Sequence, residues 1–260
     1  MIKEKWCKTA LSPSKLPGLD YSLNPYSGCS HSCKYCYVPN VLHVDRKKWS
    51  EVHAKVNIPM VLRKELKVKR RGVVGISTVT DAYQPAEKKY ELTRRCLLLL
   101  LKNDFPVDIQ TKSDLVLRDI GLIKKFSRAA VGITITTLDE TSRRLLEPRA
   151  PPIKKRLQAV KKLSDGNVYA YVFFGPVFPD IEIEDVKKYV QTFIDSGAKE
   201  IMVDSLHLKP GVWESISSSL PDKKREIFGE RLKTNYYAHI FSEMEKECRG
   251  KVVLTKAFDH

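Results

Sequence analysis

The chain has 260 residues, enough for one large α/β domain or two small ones, and its 42% hydrophobic and 30% charged residues exclude a fibrous or disordered protein. No run approaches the roughly 18 apolar residues that span a bilayer, and no apolar stretch follows the basic first six residues. Neither a membrane anchor nor a secretory leader is therefore predicted, and the expected location is the cytoplasm. The net charge of +15 includes clusters such as Lys67-Val68-Lys69-Arg70-Arg71 and Lys154-Lys155-Arg156. Such an excess predicts attraction to a polyanion, nucleic acid foremost, although a solvated surface without a partner has the same composition.

Residues 1–19, with Pro13, Pro17 and Gly18, are expected to form an irregular lead-in. Residues 20–26 read as a first strand. Apolar, β-branched runs at 73–79, 106–111, 131–137, 168–174 and 200–204 read as five more. Amphipathic patterns predict helices at 86–102, 115–127, 140–146, 153–163 and 183–196. The Val, Ile and Phe runs lack period-two alternation, which predicts strands buried on both faces. Six β–α units in succession predict an α/β fold with a parallel sheet and right-handed crossovers. That sheet is either a partial (β/α)6 TIM-type barrel or an open doubly wound one, and in both cases ligands sit at the carboxyl ends of the strands. Beyond about residue 210 the rhythm is lost, which predicts a C-terminal extension packed on the core.

Six cysteines are too few for a disulfide scaffold, and three of them crowd into eight positions. Residues 24–39 read Asn-Pro-Tyr-Ser-Gly-Cys-Ser-His-Ser-Cys-Lys-Tyr-Cys-Tyr-Val-Pro, so Cys29, Cys33 and Cys36 share one short loop directly after the first predicted strand. Iron–sulfur clusters normally take four Cys thiolates. Three with no obvious fourth would leave one iron open to a ligand that is not protein. Two other readings stay open. Zinc accepts Cys3His ligation, here with His31, although a histidine between the first two cysteines makes tetrahedral closure awkward. A closed cluster would need Cys7, Cys96 or Cys248, none of which lies in a supporting motif.

The pattern Cys-x3-Cys-x-aromatic-Cys, with Tyr35 as the aromatic, resembles the signature of the radical S-adenosylmethionine superfamily. The stretches Asn24-Pro25-Tyr26-Ser27-Gly28-Cys29, Thr78-Val79-Thr80-Asp81-Ala82-Tyr83-Gln84-Pro85, Gln110-Thr111-Lys112-Ser113 and Leu146-Glu147-Pro148 are similar to its spore photoproduct lyase-like subgroup, related to DNA repair photolyases. The resemblance covers residues 18–210. It implies a core domain over 20–210, between the lead-in 1–19 and a helical extension over 211–260. It also implies a [4Fe–4S] cluster on Cys29, Cys33 and Cys36, whose open iron is chelated by S-adenosylmethionine. A reductant of ferredoxin or flavodoxin type would drive cleavage to methionine and a 5′-deoxyadenosyl radical, which abstracts hydrogen from a substrate.

Residue roles follow from the same resemblance. Tyr35 would pack near the adenine. Ser77, Thr78 and Thr80, assisted by Asp81, would face the methionyl amine. Lys112 and Ser113 would contact the carboxylate or ribose, Thr136 and Glu147 would stand on the ribose side, and Gly175 would begin an adenine-side turn. Structural readings exist beside these: Asp81 as a helix cap, Lys112 as a solvated charge, Glu147 as a salt-bridge partner of Arg149. The subgroup's repair enzyme uses a cysteine hydrogen donor shortly after the second strand. The corresponding stretch Thr78-Val79-Thr80-Asp81 has none, which argues against that repair reaction but not against radical initiation. Tyr83 could take the donor's part. Three functions follow: a radical enzyme acting on nucleic acid, one acting on a protein, carrier-bound group or small metabolite, and a non-catalytic iron–sulfur or zinc module. The oligomeric state is not predicted.

Overall fold

Short β-branched and aromatic segments separated by amphipathic helices build the molecule. A computed structural model describes residues 2–257. Its strands are β1 (Lys3–Lys5), β2 (Leu11–Pro13), β3 (Tyr21–Leu23), β4 (Tyr26–Ser27), β5 (His53–Lys55), β6 (Val74–Ile76), β7 (Val107–Thr111), β8 (Ala129–Thr134), β9 (Tyr169–Phe174), β10 (Glu200–Val203) and β11 (Val253–Lys256). The main sheet has the order β11-β10-β9-β8-β7-β6-β3-β2, parallel throughout except for the antiparallel edge strand β2. Its two edges, β2 and β11, do not pair with each other. The fold is an α/β partial barrel, one of the two arrangements that the rhythm of the sequence leaves open. The six expected parallel strands are β3 and β6–β10.

Several local expectations are corrected. The lead-in is not irregular: β1 pairs with β5 in a small sheet with β4, and β2 extends the main sheet. The C-terminal segment is not purely helical. After helices Val212–Ser217, Asp222–Arg231 and Tyr236–Cys248 it supplies β11, a seventh parallel strand beside β10. The helix expected at 86–102 breaks at Glu91, whose φ is +48°, into Glu87–Tyr90 and Leu92–Lys102. The buried carboxylate of Glu87 accepts from the amides of Thr93 and Arg94 and so caps the second piece. The helix expected at 115–127 is a 3-10 turn, Asp114–Asp119, followed by Ile120–Ile123.

The strands are also not uniformly apolar on both faces. In β7, Val107, Ile109 and Thr111 are buried while Asp108 and Gln110 are only half-buried. One face of the sheet packs Ile109, Val131, Ile133, Val172 and Phe174 into a fully enclosed core with Leu97, Leu100 and Leu163 from the helices. Each such side chain contributes about 1.5–3 kcal/mol by leaving water. The other face, with Gly75, Asp108, Gln110, Tyr171, Phe173 and Met202, lines an open cavity. Glycine makes room there: a Cβ on Gly132 would lie 2.2 Å from the Tyr171 ring. Among the described residues no helix is long and apolar enough to cross a membrane.

The cysteine loop leaves β4 through Gly28, whose φ is +75° and whose added Cβ would meet the Glu51 carbonyl oxygen at 2.3 Å. Only glycine fits both conditions. Gly28→Ala is expected to lower stability in urea denaturation by more than about 1 kcal/mol, whereas Ala at Gly121, which has open space around it, is expected to be nearly neutral.

Candidate active site

The thiols of Cys29, Cys33 and Cys36 are free, and all three line one cavity of about 320 Å³ at the carboxyl ends of the parallel strands. Burial pushes Cys29 well up, with the Asp81 carboxylate adding to it; burial pushes Cys33 up to about 12 and raises Cys36. Groups that favour the thiolate surround them nonetheless. The His31 amide donates to Cys29; the Val38 amide and the Trp49 indole donate to Cys36; Lys112 faces both Cys33 and Cys36. These donors suit sulfur that gives up its proton to a metal. Among the described residues no group of three or more His, Cys, Asp or Glu converges on a single metal ion. The zinc alternative also loses its fourth ligand, because the His31 ring faces Asp81 with Nε2 3.2 Å from Oδ2. Cys7, Cys96 and Cys248 lie outside the cavity lining, so none of them is placed to close a cluster.

The loop is held from several sides. Thr80 Oγ1 donates to the Gly28 carbonyl at 2.6 Å, and Gln84 donates to the same oxygen at 3.2 Å while accepting from the Ser30 amide at 3.0 Å. The Cys29 amide donates to the Trp49 carbonyl, and Arg46 donates to the Cys36 carbonyl at 2.7 Å. Trp49 and Arg46 carry no motif, and Gln84 lies in the stretch 78–85 that carries the resemblance but has no role implied there, so the sequence does not single them out. Asp81 lines the cavity but is already saturated: Oδ1 accepts from Thr111 Oγ1 and the Tyr83 amide, and Oδ2 from the Lys112 amide beside His31. Burial alone would raise this carboxyl, but His31 and these donors hold it well below the usual carboxylate range.

The other predicted residues divide into two groups. Tyr35, Ser77, Thr78, Thr80, Lys112 and Gly175 line the cavity together with the cysteines. Ser77 stands out, since its φ is +64° and its buried hydroxyl has no partner. A non-glycine residue in the left-handed region, carrying an orphaned polar atom into a cavity, marks a place where a ligand completes the hydrogen bonding. Gly175 must be glycine, because a Cβ would lie 2.6 Å from the Phe173 ring. Ser113, Thr136, Glu147 and Tyr83 do not reach the cavity lining. Ser113 accepts from the Leu115 amide and caps the 3-10 turn. Thr136 is buried with an unpartnered hydroxyl. Tyr83 donates to Asp119 at 3.1 Å, away from the cysteines, so it is not placed to donate hydrogen there.

Glu147 pairs not with Arg149 but with Arg156, 2.5 Å away, both fully buried. It also accepts from the Tyr35 hydroxyl and lies 4.0 Å from Lys112 Nζ, which sits over the Tyr35 ring. The aromatic of the cysteine motif is thus fixed from below by a buried ion pair. The opposite end of the cavity has polar residues that no motif marks. Tyr171 donates to Asp108 at 2.8 Å, His207 Nε2 lies 2.9 Å from Asp204, and Lys256 stands nearby in the lining. Burial pushes Asp108 up to about 6.

A parallel partial barrel that opens at its carboxyl ends onto three half-buried, unpaired thiols defines an α/β barrel protein with a cysteine-lined cavity. The family model of the Radical SAM superfamily matches residues 23–193, and the chain belongs to that superfamily. It is 40% identical over 184 residues to an uncharacterized protein of Methanocaldococcus jannaschii, covering 70% of this chain and 69% of that one. It is 30% identical over 223 residues to an uncharacterized protein of Mycobacterium bovis, covering 79% of this chain but only 65% of the relative's length. In fold it is similar to a spore photoproduct lyase variant with bound S-adenosylmethionine and dinucleoside spore photoproduct. The TM-score is 0.73 at 12% identity, covering 99% of this chain and 82% of the other. Superfamily membership makes the protein an enzyme whose cofactors are a [4Fe–4S] cluster and S-adenosylmethionine.

Two outcomes are expected. Glu147→Gln leaves Arg156 charged in the interior and should cost about 3 kcal/mol or more in chemical denaturation, much of it recovered when Arg156→Met is added. For Asp108 the folded carboxyl titrates near 6 and the unfolded one near 3.8, so the folded state loses stability as pH rises between those values. Asp108→Asn should match the parent near about pH 4 and exceed it at about pH 7.5 by on the order of 2 kcal/mol, read from urea midpoints at each pH.

Proposed function

We propose that Cys29, Cys33 and Cys36 hold the cluster, that Ser77, Thr78 and Lys112 bind S-adenosylmethionine beside it, and that the enzyme abstracts hydrogen from a nucleic-acid substrate. The observation that carries this reading is the meeting of three half-buried free thiols and the unpartnered Ser77 hydroxyl in one cavity. When bound, these cofactors supply a 5′-deoxyadenosyl radical for hydrogen abstraction.

The protein's own part is to bind, orient and keep water out. Ser77 and Thr78 offer hydroxyls at the end of β6, and the Lys112 ammonium, which offsets thiolate charge at Cys33 and Cys36, would hold the methionyl carboxylate of S-adenosylmethionine. Tyr35, fixed by Glu147, is a flat apolar wall. Asp81, Thr80 and Gln84 position the loop rather than touch the cofactor, because their polar atoms are already engaged. Ile76, Trp49, Phe173 and Leu206 exclude solvent from the space where a radical must survive. Free cysteines throughout the described residues suit the reducing cytoplasm.

The nucleic-acid assignment rests on the +15 charge and on the dinucleoside ligand of the structural relative. The repair reaction of that relative does not carry over, since the cavity lining holds no cysteine besides the three proposed ligands. A small metabolite, carrier-bound group or protein is the second reading, favoured by the polar end of the cavity at Asp108, Tyr171 and Asp204.

Anaerobic reconstitution should give about four irons per chain, a cubane EPR signal after reduction, and 5′-deoxyadenosine; Cys33→Ala should abolish all three. One zinc per chain without a cubane signal would sink the proposal. Binding to DNA or RNA oligonucleotides should weaken steeply with added salt. No binding at low salt would remove the nucleic-acid part and leave the second reading.

A further inference from the structure

A second cavity, of about 420 Å³, lies on the other side of the cysteine loop. The two cavities share a single lining residue, His31. That histidine is part of the loop itself: its amide donates to the Cys29 thiol, its Nε2 faces Asp81 in the first cavity, and its Nδ1 lies 3.5 Å from the Arg149 carbonyl at the edge of the second. The second cavity therefore reaches His31, which contacts the proposed cluster ligand Cys29, without passing through the first cavity.

Its lining has a marked charge. Lys88, Arg118, Arg149 and Lys155 stand against one acid, Asp114, among rigid Pro85, Pro151 and Pro152. Arg118 is tied to Glu87 and Asp119, whereas Lys88 and Arg149 are exposed, as is Lys155, whose Nζ lies 3.7 Å from Asp114. The whole chain is basic, so charge alone would not choose this face over the clusters at 67–71 or 223–225. Position and shape do: this patch and the run Arg46-Lys47-Lys48 both abut the loop that bears Cys29, Cys33 and Cys36, and this one rims a cavity that reaches the loop at His31.

The geometry points to this face as the docking site for a small acidic one-electron carrier protein, which reduces the cluster through the His31 side of the loop. The inference rests on the cluster assignment above. One electron leaves the carrier's reduced centre and one is taken up by the cluster; no bond is made or broken and no proton is needed. Lys88, Arg149 and Lys155 steer the carrier's acidic surface onto the proline rim, which leaves the substrate cavity free while the electron is delivered. A nucleic-acid backbone on the same cations is the competing occupant.

The test compares reconstituted parent, Lys88→Glu/Arg149→Glu and, as a control of equal charge change, Lys67→Glu/Arg70→Glu. Bleaching of the cluster absorbance is followed by stopped flow at low salt with reduced flavodoxin or ferredoxin, and separately with dithionite. Carrier affinity is measured by titration calorimetry. The expected result is a loss of about tenfold or more in carrier-driven bleaching and in affinity for the Lys88→Glu/Arg149→Glu protein only. Dithionite bleaching should be unchanged in all three proteins, and the difference should shrink with added salt. Equal carrier rates in parent and variant, equal slowing in the control, a parent that neither carrier reduces, or a variant that loses oligonucleotide binding but not carrier reduction would overturn the docking site. A parent that dithionite fails to bleach would instead overturn the cluster assignment beneath it.

Discussion

The Asp81 carboxylate ties together parts of the chain that are far apart in sequence. Its two oxygens meet the His31 ring from the cysteine loop, the Thr111 hydroxyl and Lys112 amide from the end of β7, and the Tyr83 amide following β6. A buried carboxylate is costly unless its acceptor sites are filled, and here one imidazole and three donors fill them. The cost of burying the charge thus becomes positional order, because the loop and two strand ends cannot move apart without exposing an unpaired anion to an apolar interior. Cys29, Cys33 and Cys36 face the same space as Ser77 and Lys112 because of that tie and the neighbouring bonds of Thr80 and Gln84 to Gly28.

A second buried pair, Glu147 with Arg156, does the same work one layer below. Its two residues come from opposite ends of a tight Pro-rich connection, and through the Tyr35 hydroxyl it sets the aromatic wall beside Cys36. Between these two anchors the site is rigid where the cofactors are proposed to bind. Toward the far end the lining becomes hydroxyls, carboxylates and an imidazole. Function resides in the site rather than in the fold, so membership of the superfamily does not by itself name the substrate.

Local chemistry was legible in the sequence wherever it was densely packed into a few residues. Three cysteines within eight positions announce a metal-binding loop, and six apolar runs alternating with amphipathic segments announce a parallel α/β sheet. The same reading misjudged the inner face of that sheet. Asp108, Gln110 and Tyr171 look like interruptions in apolar runs, and only pairing with Gly75, Gly132 and Glu200 on neighbouring strands shows that they share one lumen. It also missed β1, β2 and β11, since strands of three or four residues hold together through partners distant in sequence and leave little periodic trace.

By itself, then, the sequence determined the cysteine loop and the succession of strands and helices, because each depends on residues a few positions apart. Tertiary structure decided which candidates reach the cavity. Thr80 and Asp81 turn out to hold the loop, Tyr83 and Ser113 face away, and Glu147 finds Arg156 rather than Arg149. The physical reason is that a polar side chain's role is set by which partner satisfies it once water is gone, and those partners are chosen by packing between segments that no local pattern relates.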